Sequence, residues 1–429
     1  MTELYSKGLS RKKSLLLLEE GFTVVCIMLY SGAFISLLSG AIPSSCDPTV
    51  PQPDPDTTIV RLLFFLTYIP ISGLIVLRWK RVLHLISRHS ALLILVGLAL
   101  ISCLWSIDFS ATLNRSISLM GTTLFGIYFG SRYPLQRQLQ LLGWALGIAG
   151  LLSIIFAVAF PSIGTMCSQE GAWRGIYAGK NSLGRIMELG IIIFLLLIKF
   201  RRYRLLTWLG LSSSLLLLIL SNSKSALFIA IALLILLPIY QSLRLREDIL
   251  APVILSIAIV LICSFVLCFY HAESIFGYLG KDLTLTGRTE LWRICLKMIQ
   301  QRIFLGYGFT SFWGDWGSPG EYVRKVVGWE TPHSHNGLLE LGLDLGLLGI
   351  IMFLAGYLIN LLRAFIWVRL TRSSAGLWPL LYLSFLFLAN TTESSLLRRN
   401  SIFWVLYVAV ALTISNPPLQ KSIAVDKTN

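Results

Sequence analysis

Charge is scarce in this sequence, and acidic charge is the scarcest. Charged residues make up 13% of the 429, with 21 Asp and Glu against 36 Lys and Arg. Hydrophobic residues make up 55%, and the mean hydropathy is +0.74. A soluble core of this length cannot absorb so much apolar surface, so composition predicts a polytopic membrane protein. Histidine is rare too, with five in all, so few imidazoles are available as bases or metal ligands. The seven cysteines form no CxxC pair or other metal-binding spacing. Most lie in apolar runs, where cysteine behaves as a small hydrophobe. Cys46 and Cys167 fall on the predicted outer side, and no disulfide is expected between them. No cleavable signal peptide is expected either, because the first apolar run lacks a small-residue cleavage pattern and further runs follow it. The net charge of +15 does not point to nucleic acid. The basic residues fall between apolar runs, where they set orientation in a membrane.

What is present is a series of continuous apolar runs rich in Leu and Ile, not the alternating strands of a β-barrel. The expected fold is an all-α polytopic membrane protein, one membrane domain over 1–429. Twelve spans are predicted, at about 20–42, 59–77, 91–105, 116–130, 141–160, 186–199, 205–220, 225–240, 249–270, 337–361, 376–391 and 401–415. Lys and Arg fix their direction. With Lys7, Arg11, Lys12 and Lys13 cytoplasmic, the other cytoplasmic connections carry Arg78/Lys80/Arg81/Arg88, Arg132/Arg137, Lys199/Arg201/Arg202/Arg204, Arg244/Arg246 and Arg363/Arg369/Arg372, and the tail carries Lys421/Lys427. The first external loop, 43–58, carries none. Both termini are then cytoplasmic, and the long polar insert at 271–336 is external.

Some basic residues defy this bias. Arg61, Arg115, Arg174, Lys180, Arg185, Lys224, Arg398 and Arg399 all face the outer side. Each alone reads as surface charge or headgroup contact; together they make a basin for an anionic ligand. The span interiors hold almost no ionisable groups, which weighs against a proton- or ion-coupled transporter.

The insert carries the remaining chemistry. From Thr286 or Gly287 a helix is expected, with Leu291, Ile294, Cys295 and Met298 at helical spacing and polar residues on the other faces, lying on the outer membrane surface. Arg288 sits in its first turn, where a cation opposes the helix dipole. A phosphate held by first-turn amides and Arg288 would resolve that conflict; pairing with Glu290 or with headgroups is the plainer alternative. His333-Ser334-His335-Asn336 closes the insert. A histidine at the membrane edge of a polar lid suits a general base near neutrality. Two histidines at i, i+2 can also bind a metal, but no third ligand has convincing spacing. Asn336, Glu340 and Asp344 then fall on one helix face, placed to orient His335 or to balance the external cations; a wet helix end would look the same. Gly342 and Gly346 form a GxxxG pair, a sign of close packing. Arg174-Gly-Ile-Tyr-Ala-Gly-Lys180-Asn181-Ser-Leu-Gly-Arg185 and Ser221-Asn222-Ser223-Lys224-Ser225 place more cations and donors at the outer surface.

Taken together, these residues resemble the O-antigen ligase and polymerase superfamily of bacterial membrane glycosyltransferases over nearly the whole chain. The matching segments are Leu104-Trp105-Ser106-Ile107-Asp108, Gly175 to Gly184 (with Gly179 where His is common), the Ser223-Lys224 turn in place of Ser-Arg, Gly287 to Trp292, and His335 to Leu339. The resemblance implies a ligase-like fold of twelve helices. It implies transfer of a glycan from undecaprenyl diphosphate to a sugar hydroxyl, with inversion and without a metal or other cofactor. His335 would be the base on the acceptor hydroxyl, and Arg288 and Lys224 would hold the diphosphate, with Arg174, Lys180 and Arg185 in the same cationic basin. Asn181, His333, Asn336 and Glu340 would support them. The expected partners are the lipid-linked glycan donor, a saccharide or lipid A-core acceptor, and membrane lipids, with no nucleic acid. The expected location is the bacterial inner membrane with the site on its outer face. Lys224 lacks the bidentate fork of arginine, which loosens its grip on phosphate. Rival readings are a protein O-oligosaccharyltransferase and a flippase for lipid-linked glycan.

Overall fold

The computed structural model describes residues 2–41, 56–166, 171–200, 203–245, 287–314 and 317–415, with side chains from residue 13 onward. The predicted span 249–270, most of the first external loop, Cys46, Cys167, Arg201, Arg202, Arg246, Lys421, Lys427 and the insert before Gly287 lie outside the described residues. Among the described residues the regular structure is helical, with one isolated β-bridge between Thr165 and Trp173. The longer helices are α1 (Thr2–Tyr30), α2 (Thr58–Val76), α3 (Trp79–Ile86), α4 (Ser90–Ile101), α5 (Phe109–Arg132), α6 (Leu135–Ala159), α7 (Lys180–Leu197), α8 (Arg204–Leu220), α9 (Lys224–Ser242), α10 (Arg288–Gln301), α11 (Pro319–Val327), α12 (Gly337–Leu370), α13 (Trp378–Ala389) and α14 (Ile402–Ile414).

Four of these are long and apolar enough to cross a membrane: α2, α6, α9 and α12. A fifth arises if α3 and the run Ser90–Leu104, bent by 93° at their junction, count as one span. Among the described residues, which leave out the predicted span 249–270, length and composition alone do not confirm the expected twelve. The physical reasons are specific. Helix α14 has 13 residues and α13 has 12, about 20 Å at 1.5 Å per residue, short of the ~30 Å hydrocarbon core. Helix α7 carries Lys180, Arg185 and Glu188. What stands is a multi-pass membrane protein, helical throughout its described residues apart from the one bridge.

The described chain forms two compact units. One draws on Met1–Val82, Gly121–Ala232 and Asn400–Ala409, the other on Leu83–Met120, Leu233–Arg399 and Val410–Asn429. In the first unit α7 packs against α6 and α8. Glycines permit these close approaches: a Cβ on Gly210 would lie 2.4 Å from the Phe194 ring, and one on Gly190 2.7 Å from Ser214 Oγ. In the second unit α12 packs against α4, α10 and α13.

Helix α12 is not continuous. At Gly346 the backbone takes φ 63°, ψ −162°, a conformation open essentially to glycine alone. A Cβ there would lie 2.4 Å from the Phe304 carbonyl carbon. The Gly342/Gly346 pair is thus a site of close approach: Ile299 meets Gly342, and the backbone after α10 meets Gly346. Tyr307 N–H and Gly308 N–H donate to the carbonyls of Leu343 and Asp344 at 2.8 and 3.0 Å, and Leu347 N–H donates to Ile303 at 2.7 Å. The break frees α12 carbonyls that the segment after α10 then satisfies.

Candidate functional site

Helix α10 forms where the periodicity predicted it. Leu291, Ile294, Cys295 and Met298 are buried in one cluster with Tyr307, Phe312, Val323 and Leu343. Its apolar stripe is therefore covered by protein rather than laid on lipid, as the sequence reading had it. Burying a Leu, Ile or Met side chain contributes about 1.5–3 kcal/mol each, enough to seat a 14-residue helix that would be marginal alone. The helix starts at Gly287, whose φ of 81° suits glycine. Arg288 follows in the first turn. Glu290 pairs with Arg293 instead, and Arg288 Nη1 donates to the carbonyl of Thr392 at 2.7 Å.

The segment 331–337 is fixed at its centre. Ser334 N–H donates to Glu340 Oε2 at 2.9 Å, its carbonyl accepts from Trp292 Nε1 at 2.9 Å, and its hydroxyl donates to the Asn336 carbonyl at 2.8 Å. Asn336 caps α12, its Oδ1 accepting from the N–H groups of Leu338 and Leu339 at 3.0 and 3.2 Å. Between them His335 sits at φ 52°, an uncommon conformation for a side-chain-bearing residue. That turn brings the two imidazoles together, with ring centroids 4.2 Å apart. His335 N–H donates to His333 Nδ1 at 3.2 Å, and Trp329 lies against His335 at 5.9 Å between centroids.

A third segment completes the group. Gly337 N–H donates to the Asn390 carbonyl at 2.8 Å, and Asn390 Oδ1 accepts from Ser395 and Leu396 N–H at 2.7 and 3.0 Å. No Cβ fits at Gly337, where it would lie 2.3 Å from Asn390 Oδ1. This turn carries Glu393, which is 5% exposed. Its Oε2 lies 3.8 Å from His333 Nε2 and 3.9 Å from His335 Nδ1. The carboxylate facing the imidazoles is therefore Glu393, while Glu340, the expected orienting group, accepts from the Ser334 backbone. Glu393 also acts on Arg288. Burial lowers the Arg288 pKa from the usual arginine value, and the negative Glu393 works in the opposite direction. His333, His335 and Glu393 form a set whose ligand-capable atoms all lie within 4.8 Å of one another.

Arg288, His333, His335, Asn336 and Glu340 thus gather in the second unit. Arg174, Lys180, Asn181, Arg185 and Lys224 belong to the first. There, Asn181 Oδ1 accepts from Ser223 Oγ at 3.0 Å, tying the start of α7 to the turn before Lys224. A Cβ on Gly184 would lie 2.9 Å from Ser223, so the two turns touch. Lys180 and Lys224 are each the first residue of a helix and partly exposed. Arg185 lies over the Phe403 ring at 5.4 Å. Arg174 is buried and donates to the carbonyls of Ile163 and Ser162 at 2.7 and 3.3 Å, holding the turn at 161–164. An apolar cleft of ≈ 420 Å³ in this unit, lined by Trp144, Phe194, Tyr203 and Leu206 among others, holds none of these candidate residues.

The Leu104–Asp108 motif is structural in its contacts. Trp105 Nε1 donates to the Leu305 carbonyl at 3.0 Å, Ile107 N–H to Tyr307 at 3.3 Å, and Asp108 Oδ1 caps α5 by accepting from Ala111 N–H at 2.8 Å. Arg115 Nη1 reaches the Thr310 carbonyl. These contacts hold the stretch between α10 and α11.

Residues 209–354 match the model of the O-Antigen ligase family. The match contains Lys224, Arg288, His333, His335, Asn336 and Glu340, and stops short of Glu393. The exopolysaccharide production protein ExoQ of Rhizobium meliloti (strain 1021) is 33% identical over 86 residues, which is 19% of this chain and 19% of that protein. The chain therefore aligns with under a fifth of that relative's length. Over residues 209–354, about a third of its length, this chain is similar to the O-Antigen ligase family.

Proposed function

We propose that the chain is an inverting glycosyltransferase that moves or polymerises a glycan from undecaprenyl diphosphate onto a sugar hydroxyl at the outer face of the bacterial inner membrane. The observation that carries this reading is the convergence of Arg288, His335 and Glu393 from three distant segments, two of them inside the O-antigen ligase match. In this reading His335 removes the proton from the acceptor hydroxyl as that oxygen attacks the anomeric carbon. Glu393 faces Nδ1, which favours the tautomer with its proton there and leaves Nε2 as the basic nitrogen. Arg288 meets the charge of the departing diphosphate, a good leaving group once it is neutralised by a preorganised cation. Asn336 and Glu340 act through the backbone of 333–337, holding the imidazole in place. The reaction needs no metal and no other cofactor.

The acceptor is a saccharide, either a growing polymer or a lipid A-core. Mass analysis of the product formed from purified lipid-linked donor and defined saccharide acceptors tests the reading. A new glycosidic bond formed in detergent supports it. Transfer only to protein hydroxyls would favour an O-oligosaccharyltransferase, and translocation in sealed vesicles without bond formation would favour a flippase.

A further inference from the structure

We infer that His333, His335 and Glu393 form a binding site for a divalent transition metal of the zinc type, and that the bound ion silences the site. The first half stands on geometry alone; the silencing rests on the reading of His335 as the base.

The three groups are of the kind that zinc selects. Imidazole and carboxylate suit zinc, whereas magnesium prefers an all-oxygen shell. Their ligand-capable atoms lie within 4.8 Å of one another, with Glu393 Oε2 3.8 and 3.9 Å from the two imidazole nitrogens. Tetrahedral zinc at about 2.0–2.1 Å from each ligand needs neighbouring ligands roughly 3.3 Å apart. The site therefore closes with shifts of half an ångström along two edges and up to about 1.5 Å along the third.

Its backbone is already set for this. A His-x-His pair in an extended strand can share a face, but here the left-handed turn at His335 (φ 52°) folds the pair until the rings lie 4.2 Å apart. Ser334 between them is tied through its N–H, carbonyl and hydroxyl. Glu393 is buried and faces both imidazoles, so a carboxylate oxygen stands beside the two ring nitrogens away from bulk water. Arg288 is the cation already acting on that carboxylate. The same Arg288 charge opposes a second cation, which makes the site one that loads and empties rather than a permanent structural one. Ligation at His333 Nε2 places that ring's proton on Nδ1 and gives up the 3.2 Å bond from His335 N–H.

The consequence for His335 follows from tautomerism. A neutral imidazole that ligates through Nδ1 carries its proton on Nε2. With zinc at Nδ1, Nε2 has no lone pair to accept a proton from an acceptor hydroxyl. Three protein ligands leave the fourth position of the ion to water.

The experiment uses the full chain purified in detergent, stripped with chelator and titrated with zinc chloride. The expected result is one zinc per chain. X-ray absorption should show nitrogen and oxygen ligands near 2.0–2.1 Å and no sulfur. Glu393→Gln and His333→Asn should each weaken binding by at least about tenfold, with folding checked by thermal unfolding. Magnesium should not compete. Single-turnover transfer should stop when zinc is bound and return on adding chelator. Zinc binding that both variants retain, or a sulfur shell pointing to the cysteines, overturns the site. Zinc bound through these three ligands with transfer unimpaired leaves the site standing and overturns both the silencing and His335 as the base.

Discussion

At His335 three constraints meet: a left-handed backbone, a facing tryptophan and a buried carboxylate. If this imidazole is the base, its loss removes general-base assistance, which typically contributes about 10²–10⁴-fold. His335→Ala should lower single-turnover transfer by that order while donor binding persists, because the cations remain. His333→Ala should cost less. Normal turnover by His335→Ala, or loss of donor binding as complete as in an Arg288 variant, would remove it from that role. Arg288 is tested separately. Arg288→Ala should weaken donor binding and transfer strongly, and Arg288→Lys should restore only part, since an ammonium lacks the fork that can hold phosphate while Nη1 stays on the Thr392 carbonyl. Lys224→Arg should be tolerated or mildly faster, and Lys224→Ala impaired; wild-type binding by both alanine variants would sink the diphosphate role. Sequence singled out Arg288, His333 and His335 as candidates because rare residue types stood in a recognisable order. It missed Glu393, which lies 58 positions after His335 in a turn beside other polar residues. Contacts between distant segments, Gly337 with Asn390 and Ser334 with Ser394 among them, bring that turn to the histidines, and no local periodicity records them.

At the scale of elements, the segments after α10 and before α12 are held by two glycine-dependent approaches and one cap. Asn336 satisfies two first-turn N–H groups of α12. Asn336→Ala should cost about 0.5–2 kcal/mol of stability, and Asn336→Asp should recover most of it, read as thermal unfolding in detergent. Because the cap also fixes the residue after His335, the alanine variant should lose transfer beyond its loss of stability. Gly346→Ala meets both a forbidden backbone and the Phe304 carbonyl, so it should cost at least about 1–3 kcal/mol. A Gly346→Ala protein as stable as wild type would mean that the break in α12 is not held as described. Periodicity made α10 legible, down to the four buried residues of its stripe. It did not say what covers that stripe. An amphipathic face reads the same against lipid or against protein, and here Phe312, Val323 and Leu343 cover it.

For the whole molecule, the question is which connections share a membrane face. Positive-inside bias assigns Glu19, Arg78 and Arg132 to one side, since they flank the first, second and fourth predicted spans. In the first unit these residues meet: Arg132 grips both Glu19 carboxylate oxygens at 2.7 and 2.9 Å, and Arg78 adds a contact at 3.3 Å. In the second unit Arg244 donates to the carbonyls of Arg372 and Ser373 at 3.3 and 2.9 Å, again joining two connections assigned to the cytoplasm. Contacts assigned to the other face behave alike: Asn181 meets Ser223, Arg115 meets Thr310, and Gly337 meets Asn390. A helix of 13 residues leaves its own crossing open on length, but a contact between two connections constrains parity, because the number of crossings between them must be even. The topology test uses exposed positions on a background without reactive native cysteines. Tyr322→Cys, 58% exposed in α11, should react with an impermeant thiol reagent on intact cells. Lys80→Cys, exposed beside the second predicted span, should react only after the membrane is opened. Labelling of both from the same side would break the alternation, and with it the placement of Arg288 and His335 at the outer face.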